Sequence, residues 1–387
     1  MTNLPKTYTR KLKFGTDFKE IEVGDIINLC EDDFLELQCG AKISNFPVAF
    51  KTFGTLNEEK SNAILICHAL TGDQFVIGTH PVTGKNGWWE NYVGEGKPID
   101  TNKFFIIAPN VLGGCMGSYG PKDINPETGE AFNLSFPMIT ISDMVLVQKK
   151  LIEKFGIKKL ACVIGGSMGG MQAMEWISKF PENCQSAMLI ATSARHSAQN
   201  IAFNEIGRQA IMADPEWCEG NYIARKCLPS KGLSIARMMA HITYLSESGL
   251  HNKFGRKLQN RNALSFGFDV DFQVESYLRY QGMSFVERFD PNSYLYITRA
   301  MDYFDLEADF NFNLAKAFEK TKCPVCVISF SSDWLFTTEN AKQIVHALVA
   351  SSSDVSFVEI ESDKGHDSFL LPNPMLEKTI SGFLAKI

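Results

Sequence analysis

Residues 160–180 read LACVIGGSMGGMQAMEWISKF, and the rest of the chain is placed relative to that stretch. Leu160 to Ile164 is a short, continuous apolar run, the pattern of a strand buried on both faces. Gly165-Gly166-Ser167-Met168-Gly169-Gly170 follows at once, and helical spacing then runs from Met168 to Phe180. Gly165 to Gly169 fits Gly-x-Ser-x-Gly, a sharp strand-to-helix elbow. Small residues at its two ends let the turn close and lift the serine Oγ above the sheet, where helix N-terminal N–H groups can hold an oxyanion. A bare five-residue match is common by chance; strand, elbow and helix in one frame are not. Ser167 is therefore the candidate nucleophile.

Similar runs recur outward from this one: Ala63–Cys67, Phe104–Pro109, Ala187–Ala191, Val325–Phe330 and Val355–Ile360. Helical patterns at Ile141–Phe155 and Thr338–Val349 alternate with them. That alternation predicts an α/β fold, a mostly parallel sheet flanked by helices, whose strands are buried on both faces. Phe34 to Phe53 alternates apolar and polar residues around Gly40, predicting an antiparallel pair at the sheet edge. From Arg195 to Met301 no strand run appears and the sequence reads as helices rich in Met, Tyr and Phe. The expected organisation is one catalytic α/β core, residues 1–194 and 302–387, interrupted by a helical lid at 195–301.

The composition suits a globular enzyme: 387 residues, 45% hydrophobic and 21% charged, with a net charge of −6. Disorder and general nucleic-acid binding are disfavoured by those figures. No window approaches 18 apolar residues and the first residues carry no apolar leader core, so neither a membrane span nor a secretory signal is expected and the location is read as cytoplasmic. Between 195 and 301 stand 13 Lys or Arg against 10 Asp or Glu, a surplus of +3 that leaves −9 elsewhere. The insert is the side an anionic substrate would favour. The ten cysteines are scattered and read as reduced thiols. Cys323-Pro324-Val325-Cys326 enters a strand with no second cysteine pair nearby, so it is read as core thiols, and no metal site or nucleotide loop is expected.

A serine needs a base, and the base an orienting carboxylate. In this architecture the chain order is serine, acid, histidine. His366, in the loop SDKGHD after the last strand, alone among seven histidines has the right order and place. Asp333 closes the preceding strand and is the expected acid; Asp363 is a rival that would have to fold back along its own loop. The oxyanion donors are expected at Met168 and in the loop His68-Ala69-Leu70-Thr71-Gly72, with Leu70 chosen and its neighbour left open. His68 itself reads as structural.

With these residues placed, the chain resembles the homoserine O-acyltransferases of the α/β-hydrolase superfamily, acyl-CoA-dependent enzymes that open methionine biosynthesis. The likeness rests on GGSMGGMQAMEW, HALTGD, APNVLGGCMGSYGPKDINPETG, FPMITISDMV and GLSIARMMAHITYLS, and spans nearly the whole chain. Two departures are Tyr119, where a threonine is usual, and FNLSFP at 132–137 in place of YGxDFP. The resemblance implies that Ser167 is the nucleophile, His366 the general base and acid, and Asp333 its orienter. It also implies that Arg237 binds the amino acid's carboxylate and Asp367 its ammonium. Acetyl-CoA as co-substrate, no permanently bound cofactor, a ping-pong mechanism and a homodimer through the lid follow as expectations. Leu335 lies two residues after the triad aspartate, where succinyl-using relatives carry an arginine; an apolar residue cannot pair a buried carboxylate, so acetyl is favoured over succinyl. Serine as acceptor, and plain ester hydrolysis on the same triad, stay open.

Overall fold

The computed structural model describes residues 4–387. Nine strands make its main sheet: β1 (Tyr8–Phe14), β2 (Lys19–Leu29), β3 (Phe46–Phe53), β4 (Ala63–Cys67), β5 (Phe105–Pro109), β6 (Cys162–Gly166), β7 (Ala187–Ile190), β8 (Val325–Phe330) and β9 (Val355–Ile360). Their spatial order is β1-β2-β3-β5-β4-β6-β7-β8-β9. The six strands from β5 to β9 pair in parallel, while β1, β2 and β3 join antiparallel. Every residue of β4, β5, β6, β7 and β8 is buried, which is why each appears in the sequence as an unbroken apolar run.

Helices cover both faces of these strands: α1 (Ile141–Lys154), α2 (Met168–Lys179), α7 (Thr338–Ala350) and α8 (Pro374–Leu384), while α3 (Ala198–Met212), α4 (Ser230–Tyr244), α5 (Gln273–Val286) and α6 (Pro291–Tyr303) lie in the helical segment. α1 starts at a capping box in which Thr140 Oγ1 accepts from the Asp143 amide and the Asp143 carboxylate accepts from the Thr140 amide. α1 and α2 are tied by a buried polar chain. Trp176 Nε1 donates to Gln148 Oε1 (2.8 Å), Gln148 Nε2 to Gln172 Oε1 (2.6 Å), and Gln172 Nε2 to the His68 carbonyl (3.1 Å). The helix after the elbow is thereby fastened to the loop that follows β4.

Several expectations need correcting. The sheet edge is built mainly by β1 and β2, a hairpin whose charged, alternating sequence hid it; the pair around Gly40 is only Leu35–Glu36 against Lys42–Ile43, outside the main sheet. Gly40 sits at φ +84°, the left-handed turn such a pair needs. β6 begins two residues later than its apolar run, because Leu160 makes only an isolated bridge to Cys184. β9 is not buried on both faces. It is the outer strand, and only Ile360 is fully covered. The two sequence departures pack on each other: the Tyr119 ring meets Phe132 and Phe136 edge-on at 5.6 and 5.3 Å.

The helical segment contains α3 (Ala198–Met212), α4 (Ser230–Tyr244), α5 (Gln273–Val286) and α6 (Pro291–Tyr303). α4 packs between α3 and α5 through Leu233, Ala236 and Ala240, a one-sided stripe whose alanines permit close approach. α6 runs to Tyr303, two residues beyond the expected limit of 301, because Asp302 on its last turn is bound by groups of α3. The ends of the segment meet at an antiparallel bridge between Arg195 and Asp305, reinforced by Leu306 N–H to the Ala194 carbonyl (3.0 Å) and an Arg195–Glu307 ion pair (2.8 Å).

Candidate active site

The elbow is tight because backbones touch. A Cβ on Gly165 would collide with the Gly169 carbonyl, and one on Gly169 with the Cys67 carbonyl of β4, so neither position has room for a side chain. The strained conformation falls on the serine: Ser167 has φ +57° and ψ −123°, and its hydroxyl takes no part in capping α2. The strain is held from both sides, since Ser167 N–H donates to the Ile190 carbonyl (2.9 Å) and Thr192 Oγ1 donates to the Ser167 carbonyl (2.8 Å).

His366 and Asp333 meet across 33 residues. His366 Nδ1 donates to Asp333 Oδ2 at 2.7 Å, and Asp333 Oδ1 accepts the amides of Leu335 (3.0 Å) and Phe336 (2.9 Å). The carboxylate is thus oriented by two backbone dipoles and one imidazole, and both side chains are buried. Asp363, the rival acid, is half-exposed and paired with Lys364. Rings from three directions fix the imidazole plane: Phe336 at 5.0 Å, Phe369 at 5.4 Å and Tyr244 of α4 at 6.0 Å.

A cavity of about 40 Å³ is lined by Ser167, Leu70, Leu335, Phe336, Tyr244 and His196, among others. The Leu70 and Met168 N–H groups have no acceptor among the described residues, leaving both free for an oxyanion. The Leu70 loop is held by His68, whose Nδ1–H donates to the Ala69 carbonyl (2.8 Å) while Nε2 accepts from Val111 N–H (3.1 Å). Burial drives the His68 pKa down, so the ring stays neutral and structural.

Arg237 and Asp367 face the same region from opposite elements, α4 and the turn after β9. Arg237 stacks on Phe285 (4.8 Å) and Tyr244 (5.5 Å) and donates to Thr71 Oγ1 (3.2 Å). Those contacts leave most of its fork unused. Burial raises the Asp367 carboxyl above the ordinary range; His366 and Arg237 pull it back only partly, and among the described residues no hydrogen-bond donor reaches it. An unsatisfied carboxylate beside an underused guanidinium suits a zwitterion.

A profile of the α/β-hydrolase fold matches residues 62–372. A homoserine O-acetyltransferase of Mesorhizobium japonicum is 60% identical over 359 residues, 93% of this chain and 92% of the relative. The chain belongs to the homoserine O-acetyltransferase family. Among solved structures, the homoserine O-acetyltransferase of Bacillus anthracis superposes with TM-score 0.84 at 27% identity, covering 93% of this chain and 96% of that one. The family's architecture is shared with hydrolases: esterase E22 superposes with TM-score 0.83 at 27% identity, covering 98% and 100%.

Within this family member, two clusters escaped the sequence reading. Arg288, at the end of the segment holding α5, donates to the Thr71 carbonyl (2.9 Å) and approaches Asp73 (3.5 Å), which also accepts from His80 Nε2 (2.9 Å). Burial alone would raise Asp73, but His80 and Arg288 against it prevail and the carboxyl stays low. The second cluster is His196–Asp302–Arg208: His196 Nδ1 lies 3.1 Å from Asp302 Oδ1, Arg208 Nη1 2.7 Å from Asp302 Oδ2, and Asn204 Nδ2 2.8 Å from Oδ1. His196 Nε2 is buried with no partner. Partners 106 and 217 residues apart leave no local signature.

Proposed function

We propose that this protein transfers the acetyl group of acetyl-CoA to the hydroxyl of L-homoserine, the opening step of methionine biosynthesis. The observation that supports the reading is the strained elbow serine over a small cavity whose lining residues Tyr244 and Phe336 also pack on His366, itself bonded to Asp333. Ser167 attacks the thioester carbonyl, the oxyanion rests on the Leu70 and Met168 amides, and CoA leaves as the thiol. The homoserine hydroxyl, losing its proton to His366, then takes the acetyl group from the serine. Arg237 holds the carboxylate and Asp367 the ammonium, which fixes the hydroxyl end toward the serine.

The cavity supports acetyl. About 40 Å³ is the scale of one or two waters, and Leu335 offers a succinyl carboxylate no counter-charge. Beyond Arg237 a cleft of about 230 Å³ carries Lys85, Arg237 and Arg288, which supports approach of the anionic CoA from that side. The deciding experiment is an acceptor matrix: acetyl-CoA and succinyl-CoA against L-homoserine and L-serine, following both CoA release and O-acyl product. Acetyl-CoA with homoserine should dominate; any other leading pair would replace this assignment. The likeness to esterase E22 favours hydrolysis as a second reading, which would stand if CoA release proceeded at the same rate without an acceptor and saturating homoserine gave no O-acyl product.

A cytoplasmic setting is supported by ten unpaired cysteines; among the described residues no helix is long and apolar enough to cross a membrane. A homodimer through the helical segment is supported by Ile201, Ile206, Ile235 and Ile242, exposed on α3 and α4, and sedimentation of the full chain tests it.

A further inference from the structure

Two thiols of the helical segment touch. Cys218 Sγ and Cys227 Sγ are 3.3 Å apart, both partly exposed, while seven of the other cysteines are buried and Cys39 stands alone at the surface. The contact is built by the backbone between α3 and α4. Cys218 and Glu219 adopt left-handed conformations (φ +52° and +54°), Gly220 follows at +89°, and Lys226 turns again at +53°. Such angles are costly for residues with a Cβ and bring positions 218 and 227 together. The loop is anchored: Trp217 Nε1 donates to Asn292 Oδ1 (3.0 Å), Asn292 Nδ2 to the Gly220 carbonyl (3.0 Å), and the Gly232 amide to Asp214 Oδ2 (2.8 Å). Cys227 Sγ also lies 3.2 Å from the Glu216 carbonyl.

We propose that Cys218 and Cys227 form a reversible dithiol–disulfide site that reacts with small-molecule disulfides. Cys218 lines an open hollow of about 640 Å³ with Trp217, Glu219 and Arg225, so a reagent reaches it first. In the first step the Cys218 sulfur, having lost its proton, bonds to one sulfur of the reagent, whose S–S bond breaks and releases a thiol. Cys227 then loses its proton and attacks Cys218, displacing the second reagent thiol. The protein dithiol is oxidised by two electrons and the reagent disulfide is reduced to two thiols. The Cys227 thiol is raised to about 11 by burial first and then by its contacts with Cys218; capping Cys218 removes those contacts, easing the second step. The closed ring spans the turn that leads into α4, the helix of Arg237.

The test treats the full chain with oxidised glutathione under native conditions and maps the peptides. The expected result is an intramolecular Cys218–Cys227 link with loss of two of the ten free thiols, reversed by dithiothreitol, and slower amide exchange over residues 215–230. C227S should instead trap a glutathione adduct on Cys218, and C218S should prevent the link; both variants should retain acetyl transfer. A link that forms only after denaturation, or adducts confined to Cys39, would overturn the proposal.

Discussion

Two histidine–aspartate pairs pack around the cavity at Ser167, His366–Asp333 behind Phe336 and Tyr244 and His196–Asp302 in its wall, and their carboxylates are balanced differently. At the strand ends, Asp333 is held by two amides and His366, with no other cation paired to it among the described residues. In the proposed mechanism its negative charge stays available to the His366 ring. In the helical wall, Asp302 is already paired with the Arg208 guanidinium at 2.7 Å. The two pairs share an imidazole Nδ1-to-carboxylate contact and differ in what balances the carboxylate.

The largest expected effect tests that contrast directly. Asp333→Asn should lower kcat by about 10⁴, the scale seen when a triad carboxylate is neutralised, whereas Asp302→Asn should lower the kcat of the folded fraction far less. Equal losses in steady-state assays corrected for folded protein would erase the distinction. Next comes Arg208→Met, which strands Asp302 in the interior; breaking such a buried pair costs about 3 to 5 kcal/mol, readable as a lower urea midpoint. Burial raises Asp302, but its contacts with His196, Asn204 and Arg208 more than reverse this and leave its carboxyl below the ordinary value. It therefore contributes stability above the unfolded carboxyl pKa that is lost as pH falls through the lowered folded value. The wild type should accordingly lose stability through this acid range, and Asp302→Asn should flatten that part of the melting-temperature profile.

Asp367 behaves oppositely. Its raised carboxyl means that on acidification it protonates before ordinary carboxylates do, so KM for homoserine should climb at a pH above the usual carboxyl range while KM for acetyl-CoA holds. A KM for homoserine that stays flat into that range would remove Asp367 from ammonium binding. Arg237→Lys should raise the same KM by roughly ten- to hundredfold, the worth of a charged hydrogen bond, with a smaller change in kcat. Leu335→Arg should shift the succinyl-CoA to acetyl-CoA rate ratio upward. Smallest of all, His196→Gln should leave kcat within about tenfold, the scale of one neutral hydrogen bond.

What could be read beforehand follows from how each part is stabilised. The strands β4 to β8 announced themselves because both faces are buried, and Ser167 because an elbow needs adjacent glycines. His366 and Asp333 could be placed by loop position and chain order. β1 and β2 escaped because exposed edge strands carry charges that dilute the apolar signal, and β9 because an apolar run does not reveal which strand will lie outermost. Roles for Arg237 and Asp367 were suggested only by the family likeness, since a charge on a half-exposed helix such as α4 resembles a solvated one. The pairing of His196 with Asp302, and of Arg288 with Asp73, is created by tertiary contact alone.

The bridge between Arg195 and Asp305 has a consequence for how such proteins diversify. The helical segment leaves and rejoins the sheet at neighbouring points, so the strand order and the elbow place almost no demand on its length or content. That segment nevertheless reaches the site, with Tyr244 against His366 and with Arg237 and Arg288 on Thr71. A single short neck therefore lets the helices that wall the site change while the strands beneath them keep their order.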